Sequence, residues 1–175
     1  MAVFLLSHFV FTAKDFKSAQ RLSGWAAPVI IVSEHMFGYR GDKMSFVHLR
    51  VHSEYSFLRG ACRLEELVLR AKELGMPAVA LTDYSAAHGA VRFTQLALKH
   101  GLQPILGAEF NLTSGLPVVL LVRTKTGWYN LLRLINSCQL AQPAKTWLEL
   151  QDLAENCAGL TLVLHTGGEN AVCNL

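Results

Sequence analysis

Between residues 46 and 52 apolar and polar positions alternate: Val47, Leu49 and Val51 are apolar, while His48, Arg50 and His52 are basic. Strand side chains point to opposite faces in turn, so the pattern predicts a strand over 46–51 with its basic residues on one side. A turn-like segment containing Gly60 follows, and then the period changes. Leu64, Leu67, Val68, Ala71 and Leu74 form a stripe at helical spacing, with Glu65 and Glu66 suited to an N-terminal dipole and Gly75 as a stop. That predicts a helix over 64–74. The run 77–81 reads as a short strand ending in Thr82-Asp83, and 87–100 as a helix closing at Gly101. A third strand over 103–106 finishes at Gly107-Ala108-Glu109, and a nearly continuous apolar strand covers 116–122. Helices over 128–140 and 147–156 and a strand over 159–164 complete the pattern. A further apolar stretch, 27–32, reads as an isolated strand upstream.

Strand followed by helix, repeated, predicts an α/β architecture with a parallel sheet and right-handed crossovers. Ligands of such sheets bind beyond the carboxyl ends of the strands. His52, Asp83 and Glu109 fall at or just after three successive strand ends, which makes them candidate site residues. Imidazole and carboxylate at such positions are the donors that hold a divalent cation. A half-exposed strand with a polar face is the plainer alternative. His48 reads as a structural strand residue, and His88, His100 and His165 carry no spacing signal.

Composition narrows the field without choosing. With 175 residues, 51% of them hydrophobic and 17% charged, the chain can build a sizeable core as one domain or part of a larger one. The formal charge of +3 permits nucleic-acid contact without implying it, since no Lys/Arg block is present. Cys62, Cys138, Cys157 and Cys173 lack ligand spacing and read as reduced, mostly buried thiols of a cytoplasmic protein. The apolar run 2–10 lacks a basic flank and is too short to cross a bilayer. Residues 1–43 match nothing in the pattern that follows; they read as an unassigned extension, with Met44 an alternative start.

Three strings, FVHLRVHSEYSFLRGACRLEELV, AKELGMPAVALTDYSAAHGAVRF and GLQPILGAEF, resemble the PHP (polymerase and histidinol phosphatase) domain that opens the bacterial DNA polymerase III alpha subunit. LLVRTKTGWYNLLRLIN is similar to the same family's next segment, and the resemblance runs over 46–164. FLRGA is closer to the error-prone branch and HLRVHSEYS to the replicative one. The resemblance implies a distorted (β/α)7 barrel, here truncated to about its first half or somewhat more, with residues 44–175 a partial PHP domain. In members with an active site it implies metal ions, Zn or Mn, at the strand ends and phosphoester hydrolysis by metal-activated water. It implies Mg for nucleotidyl transfer by a full DNA-directed DNA polymerase. Its partners would be the remaining polymerase chain and other replisome or repair subunits, with DNA met through that parent and no membrane.

Against the family's metal-binding pattern, Arg50 stands where the first histidine of an HxH pair belongs, and His52 keeps the second. Arg59 replaces an aspartate, Tyr84 replaces the histidine after Thr82-Asp83, and Pro117 replaces the histidine opening the fourth strand. Glu109 matches the family's glutamate. Arginine stays protonated and has no lone pair to give, so it is no ligand. A buried carboxylate without a cation needs another partner. The expectation is therefore that Arg50, with Arg59 a second candidate, pairs with Glu109 or Asp83. His52 and Glu109 would be left as at most an adventitious metal pair. The reading that follows is a non-catalytic domain of a polymerase, with no cofactor of its own. An active phosphoesterase or 3′–5′ proofreading exonuclease is the alternative, and a free binding module is a third.

Overall fold

The computed structural model describes residues 29–30, 46–141, 145 and 147–164. Among these residues ten elements follow one another: β1 (Val29–Ile30), α1 (Leu64–Glu73), β2 (Ala78–Leu81), α2 (Ala90–Lys99), β3 (Gln103–Leu112), β4 (Pro117–Val122), α3 (Lys125–Gln139), β5 (Trp147–Leu148), α4 (Leu150–Glu155) and β6 (Leu160–Leu164). The α1 stripe buries Leu64, Val68 and Ala71, with Glu65 and Glu66 in its first turn and Arg70 and Lys72 in its last, as the helix dipole favours. α2 buries Ala90, Phe93 and Ala97. α3 begins before the expected residue 128 because the Thr124 hydroxyl accepts from Gly127 N at 3.1 Å and caps the helix there. The helix expected over 147–156 is shorter. Trp147 and Leu148 instead pair in parallel with Asn111 and Leu112 of β3, and only Leu150–Glu155 coils. The sequence stretch 1–43 lies outside the described residues except for β1.

The sheet runs in the order β1-β6-β4-β3-β2, with β5 beside the end of β3. It is mixed rather than wholly parallel. β2 and β3 are parallel, as are β1 and β6, but β4 runs antiparallel to both β3 and β6. The cause is the short connection between β3 and β4, which turns at Gly115 with φ 84. A parallel crossover needs a dozen residues or more, so so short a link can only make a hairpin.

The strand expected over 46–51 is an extended edge rather than a regular strand. His48 O accepts from Ala80 N at 3.0 Å and Val51 O from Thr82 N at 2.9 Å. Three steps along this segment thus match two along β2, as at a bulge, and Val51 N turns to the Thr82 hydroxyl at 2.8 Å instead. Leu49 and Val51 consequently pack into different layers.

Those layers show how the sheet is used. On one face α3 covers Phe110, Leu112, Val118, Leu120, Leu160 and Leu162, while α1 and α2 cover Val79 and Leu81. On the other face Ala80, Val119, Leu121 and Val163 pack with Leu49 and Ile105, all from strands or the extended edge. A sheet backed by helices on one side and closing on its own side chains on the other is the wall of a barrel. Of the described cysteines, Cys138 and Cys157 are buried free thiols and Cys62 is an exposed one, so most but not all are buried.

Close backbone contact fixes where α3 meets β6. A Cβ on Gly127 would lie 2.0 Å from the carbonyl oxygen of Gly159, which itself holds φ 76. Gly127→Ala is therefore expected to lower the unfolding free energy by about 3 kcal/mol, since backbone rather than a flexible side chain must yield. A urea midpoint unchanged from wild type would contradict this packing.

Candidate functional site

Glu109 lies within β3, paired across the hairpin with Val119 of the strand-only layer. Directly opposed residues share a face, so its side chain belongs to the inner side of the wall. The carboxylate side chain is 2% exposed. Arg50 Nε donates to its Oε2 at 2.5 Å and Arg50 Nη2 to its Oε1 at 2.9 Å, a two-pronged pair. His52 Nε2 stands 3.0 Å from the same Oε2. Burial pushes the Glu109 carboxyl up, but the hydrogen bonds from His52 and Arg50 and their charges outweigh it and hold it at about 2. The Arg50 guanidinium is raised in turn by its hydrogen bond to Glu109. Arg50 and His52 line a cavity of about 280 Å³ at this point.

Asp83, one residue past Thr82 and also buried, sits in a separate cage. Its Oδ1 accepts from Ser53 N at 2.7 Å and from the Ser56 hydroxyl at 2.6 Å, and its Oδ2 from the Ser53 hydroxyl at 2.8 Å. Ser53 and Ser56 can reach it because the chain turns sharply between them, Ser56 N donating to Ser53 O at 2.9 Å. Gly60 then returns so close that a Cβ there would meet Ser53 O at 2.1 Å. Leu58 at the tip takes φ 59, a strained left-handed conformation for leucine, with its side chain and that of Phe57 exposed.

The site is thus partly what the sequence suggests. Arg50, His52 and Glu109 come together; Asp83 is adjacent in the sheet, its O accepting from Glu109 N at 3.1 Å, but its carboxylate faces the serines. Arg59 meets neither carboxylate. Its guanidinium lies over the Tyr84 ring, 3.7 Å from the centroid, a cation–π stack. Pro117 pairs with Asn111, two residues along β3 from Glu109 and on the same face. His48 is apart from this cluster, its ring edge-on to Phe46 at 4.6 Å and its imidazole lowered by burial. His165 lies outside the described residues. Ser53 and Ser56 were not singled out in the sequence; the signal was the serine spacing in HSEYS, a pattern suited to short-range hydroxyl hydrogen bonds.

The donors do not suit a metal cluster. Both Glu109 oxygens carry Arg50 N–H groups, Asp83 is occupied by three donors, and a cation beside Glu109 would meet the guanidinium charge. Among the described residues no three His, Cys, Asp or Glu side chains are grouped as metal ligands would be. The geometry supports an internal ion pair that braces β3 against the extended edge carrying Arg50.

The family profile of the PHP domain matches residues 48–169. The chain is 52% identical over 99 residues to the error-prone DNA polymerase of Symbiobacterium thermophilum, covering 57% of this chain and 9% of that one. It is 40% identical over 102 residues to the DNA polymerase III subunit alpha of Bacillus subtilis, covering 55% and 9%. The chain spans about a tenth of the length of these curated relatives. Among solved structures, an amidohydrolase from Chromobacterium violaceum with bound sulfate and no metal aligns at TM-score 0.45 and 23% identity, over 55% of this chain and 33% of that one.

Proposed function

The chain belongs to the PHP-domain family, and from that premise we propose that it is the non-hydrolytic PHP portion of a DNA polymerase of the III alpha or error-prone type. Its role there is architectural: a braced α/β wall that supports the rest of the polymerase and offers surface to other replication or repair subunits. The observation that carries this reading is the Arg50–Glu109 pair. Hydrolysis in this family resemblance depends on cations that activate water and neutralise phosphate charge. Here a fixed guanidinium supplies the positive charge, and it can do neither the Lewis-acid work nor the activation of water. The remaining positions, Arg59, Tyr84 and Pro117, add no donor of the required type. His52 is committed to the same carboxylate.

DNA contact, a cytoplasmic location and the identity of the partner subunits belong to this proposal. Its support is the similarity to two branches of polymerase, and among the described residues no helix is long and apolar enough to cross a membrane. Similarity to both branches leaves the chain's branch to experiment.

The test is direct. The purified 175-residue chain, incubated with Mn or Zn and desalted, is expected to retain less than about a tenth of an equivalent of metal, because a functional site needs three or four donors. It is expected to hydrolyse bis-(p-nitrophenyl) phosphate no faster than a protein-free blank. Stoichiometric metal together with turnover would replace this proposal by the phosphoesterase reading. A second experiment addresses the architectural role: residues 46–164 are exchanged for the matching segment of an error-prone polymerase relative. Primer extension by the chimera is expected to persist, and a soluble chimera without extension counts against the proposal.

A further inference from the structure

α3 turns one face to the core and the other to solvent, and the two differ in charge as well as polarity. Inward, Leu131, Leu134 and Cys138 join the main core. Outward, Lys125, Tyr129, Arg133 and Asn136 are exposed, and their spacing of four, four and three positions sets them in one stripe. Tyr129 keeps 53% of its surface open. The helix has 15 residues with no aspartate or glutamate among them, and the exposed Arg123 stands just before its Thr124 cap. These cations are scattered in sequence, so they form a basic stripe only once the helix lines them up.

The fold itself does not ask for this arrangement. Lys125 occupies the first turn, where the helix dipole favours a carboxylate over a cation. α1 follows that preference with Glu65 and Glu66. Elsewhere Arg70, Arg92 and Lys145 each meet a carboxylate, of Glu73, Glu65 and Glu149 in turn. Arg123, Lys125 and Arg133 meet none among the described residues. The adjoining α4 carries Asp152 and Glu155, but neither forms an ion pair with the stripe among the described residues, and Glu155 accepts from Gln151 at 3.1 Å. Unmatched positive charge on both sides of an exposed ring suits a ligand that is both anionic and aromatic.

We propose that the outer face of α3 is a contact site for single-stranded DNA. Lys125 and Arg133, with Arg123 at the same helix end as Lys125, meet phosphates, and Asn136 adds an amide donor. The Tyr129 ring between them is the platform on which a base stacks. Lys125 and Arg133 are eight positions apart, about 12 Å of helix. That reach matches three or four phosphates of a strand rising about 3.4 Å per nucleotide. A base held in a duplex cannot lie on the ring, so the face selects the single strand. An acidic protein surface would meet the charges but leave the ring without a role. The proposal rests on the polymerase reading for the choice of DNA, and it concerns the back of the wall rather than the Arg50 site.

The test is fluorescence anisotropy of a labelled oligothymidylate of about 20 nucleotides with the full chain. At low salt a Kd of about 1–100 μM is expected, weakening about a hundredfold for a tenfold rise in salt, as three phosphate contacts on a single strand imply. Lys125→Glu/Arg133→Glu is expected to bind at least about tenfold more weakly. Lys72→Glu/Lys99→Glu makes the same change in net charge on α1 and α2 and should bind within about threefold of wild type. Tyr129→Ala is expected to lose at least about fivefold, and Tyr129→Phe less than about twofold. All these positions are exposed, and a glutamate at 125 suits the helix dipole, so unchanged far-ultraviolet circular dichroism is expected. Equal losses in the two charge variants mean that net charge alone attracts DNA, and they overturn the proposal. No binding at low salt, unchanged affinity in Tyr129→Ala, or a duplex bound more tightly than the oligothymidylate overturns it as well. Metal retention and phosphodiester hydrolysis decide the polymerase reading by themselves, so the two can fail separately.

Discussion

Replacing Arg50 by methionine is expected to lower the unfolding free energy by about 2–3 kcal/mol at pH 7, because it leaves a buried carboxylate with its compensating charge removed, a cost that water reaching the half-exposed Arg50 position moderates. Glu109 is 2% exposed and takes two of its hydrogen bonds from Arg50. The loss should be largely undone in Arg50→Met/Glu109→Gln, where no charge remains and His52 Nε2 can still meet the amide oxygen. That double variant is expected within about 1 kcal/mol of wild type. The acid side gives an independent reading. Glu109 is held at about 2 in the folded chain, against about 4.3 for an unperturbed glutamate. Its folded pKa is depressed, so its contribution is fully present above about pH 4.5 and is lost as pH falls toward 2. With Arg50 42% exposed, solvent screening reduces the full linkage value, and about 2 kcal/mol is expected across that window. Guanidinium titrations at pH 7, 4 and 2.5 check this. If Arg50→Met unfolds at the wild-type midpoint at pH 7, the pair is a surface contact and the architectural reading loses its central support.

The second large effect is expected at Asp83. Asp83→Ala would strand Ser53 N and two serine hydroxyls in a buried pocket and is expected to cost about 3–5 kcal/mol. For a domain whose total stability is about 5–15 kcal/mol, that is enough to bring much of the chain into inclusion bodies. Asp83→Asn discriminates between charge and shape. Its Oδ1 keeps both acceptor roles, toward Ser53 N and the Ser56 hydroxyl, and its amide can donate to the Ser53 hydroxyl, which reverses. A cost of about 1 kcal/mol is expected. Equal losses for Ala and Asn would mean that the cage depends on the negative charge rather than on its hydrogen bonds. Neither substitution should alter metal retention or phosphodiester hydrolysis, since neither is expected in the parent chain.

Local chemistry made most of the elements legible. The stripe at Leu64, Val68 and Ala71 and the stop at Gly75 delimit α1 to within a residue, because helix burial repeats at short range. Errors arise where a distant partner decides. Leu148 is buried by pairing with β3 rather than by a helix face, so apolar spacing over 147–156 misleads. Thr82 reaches across to Val51 and breaks the ladder that strict alternation at 46–51 implies.

At the site, the sequence by itself determined the residue types. Arginine at position 50 cannot be a metal ligand, and a glutamate on the inner side of a sheet must find a positive or donating partner; both follow from charge and lone pairs alone. Only the tertiary structure decided the pairing. Arg50 forks onto Glu109, while Arg59, equally cationic and nearer to Glu109 in sequence, lies on the Tyr84 ring. The reason is geometric: fifty-nine positions separate Arg50 from Glu109, and closing that gap depends on the bulged edge, the β2–β3 pairing and the serine cage acting together, none of which leaves a periodic trace in the chain.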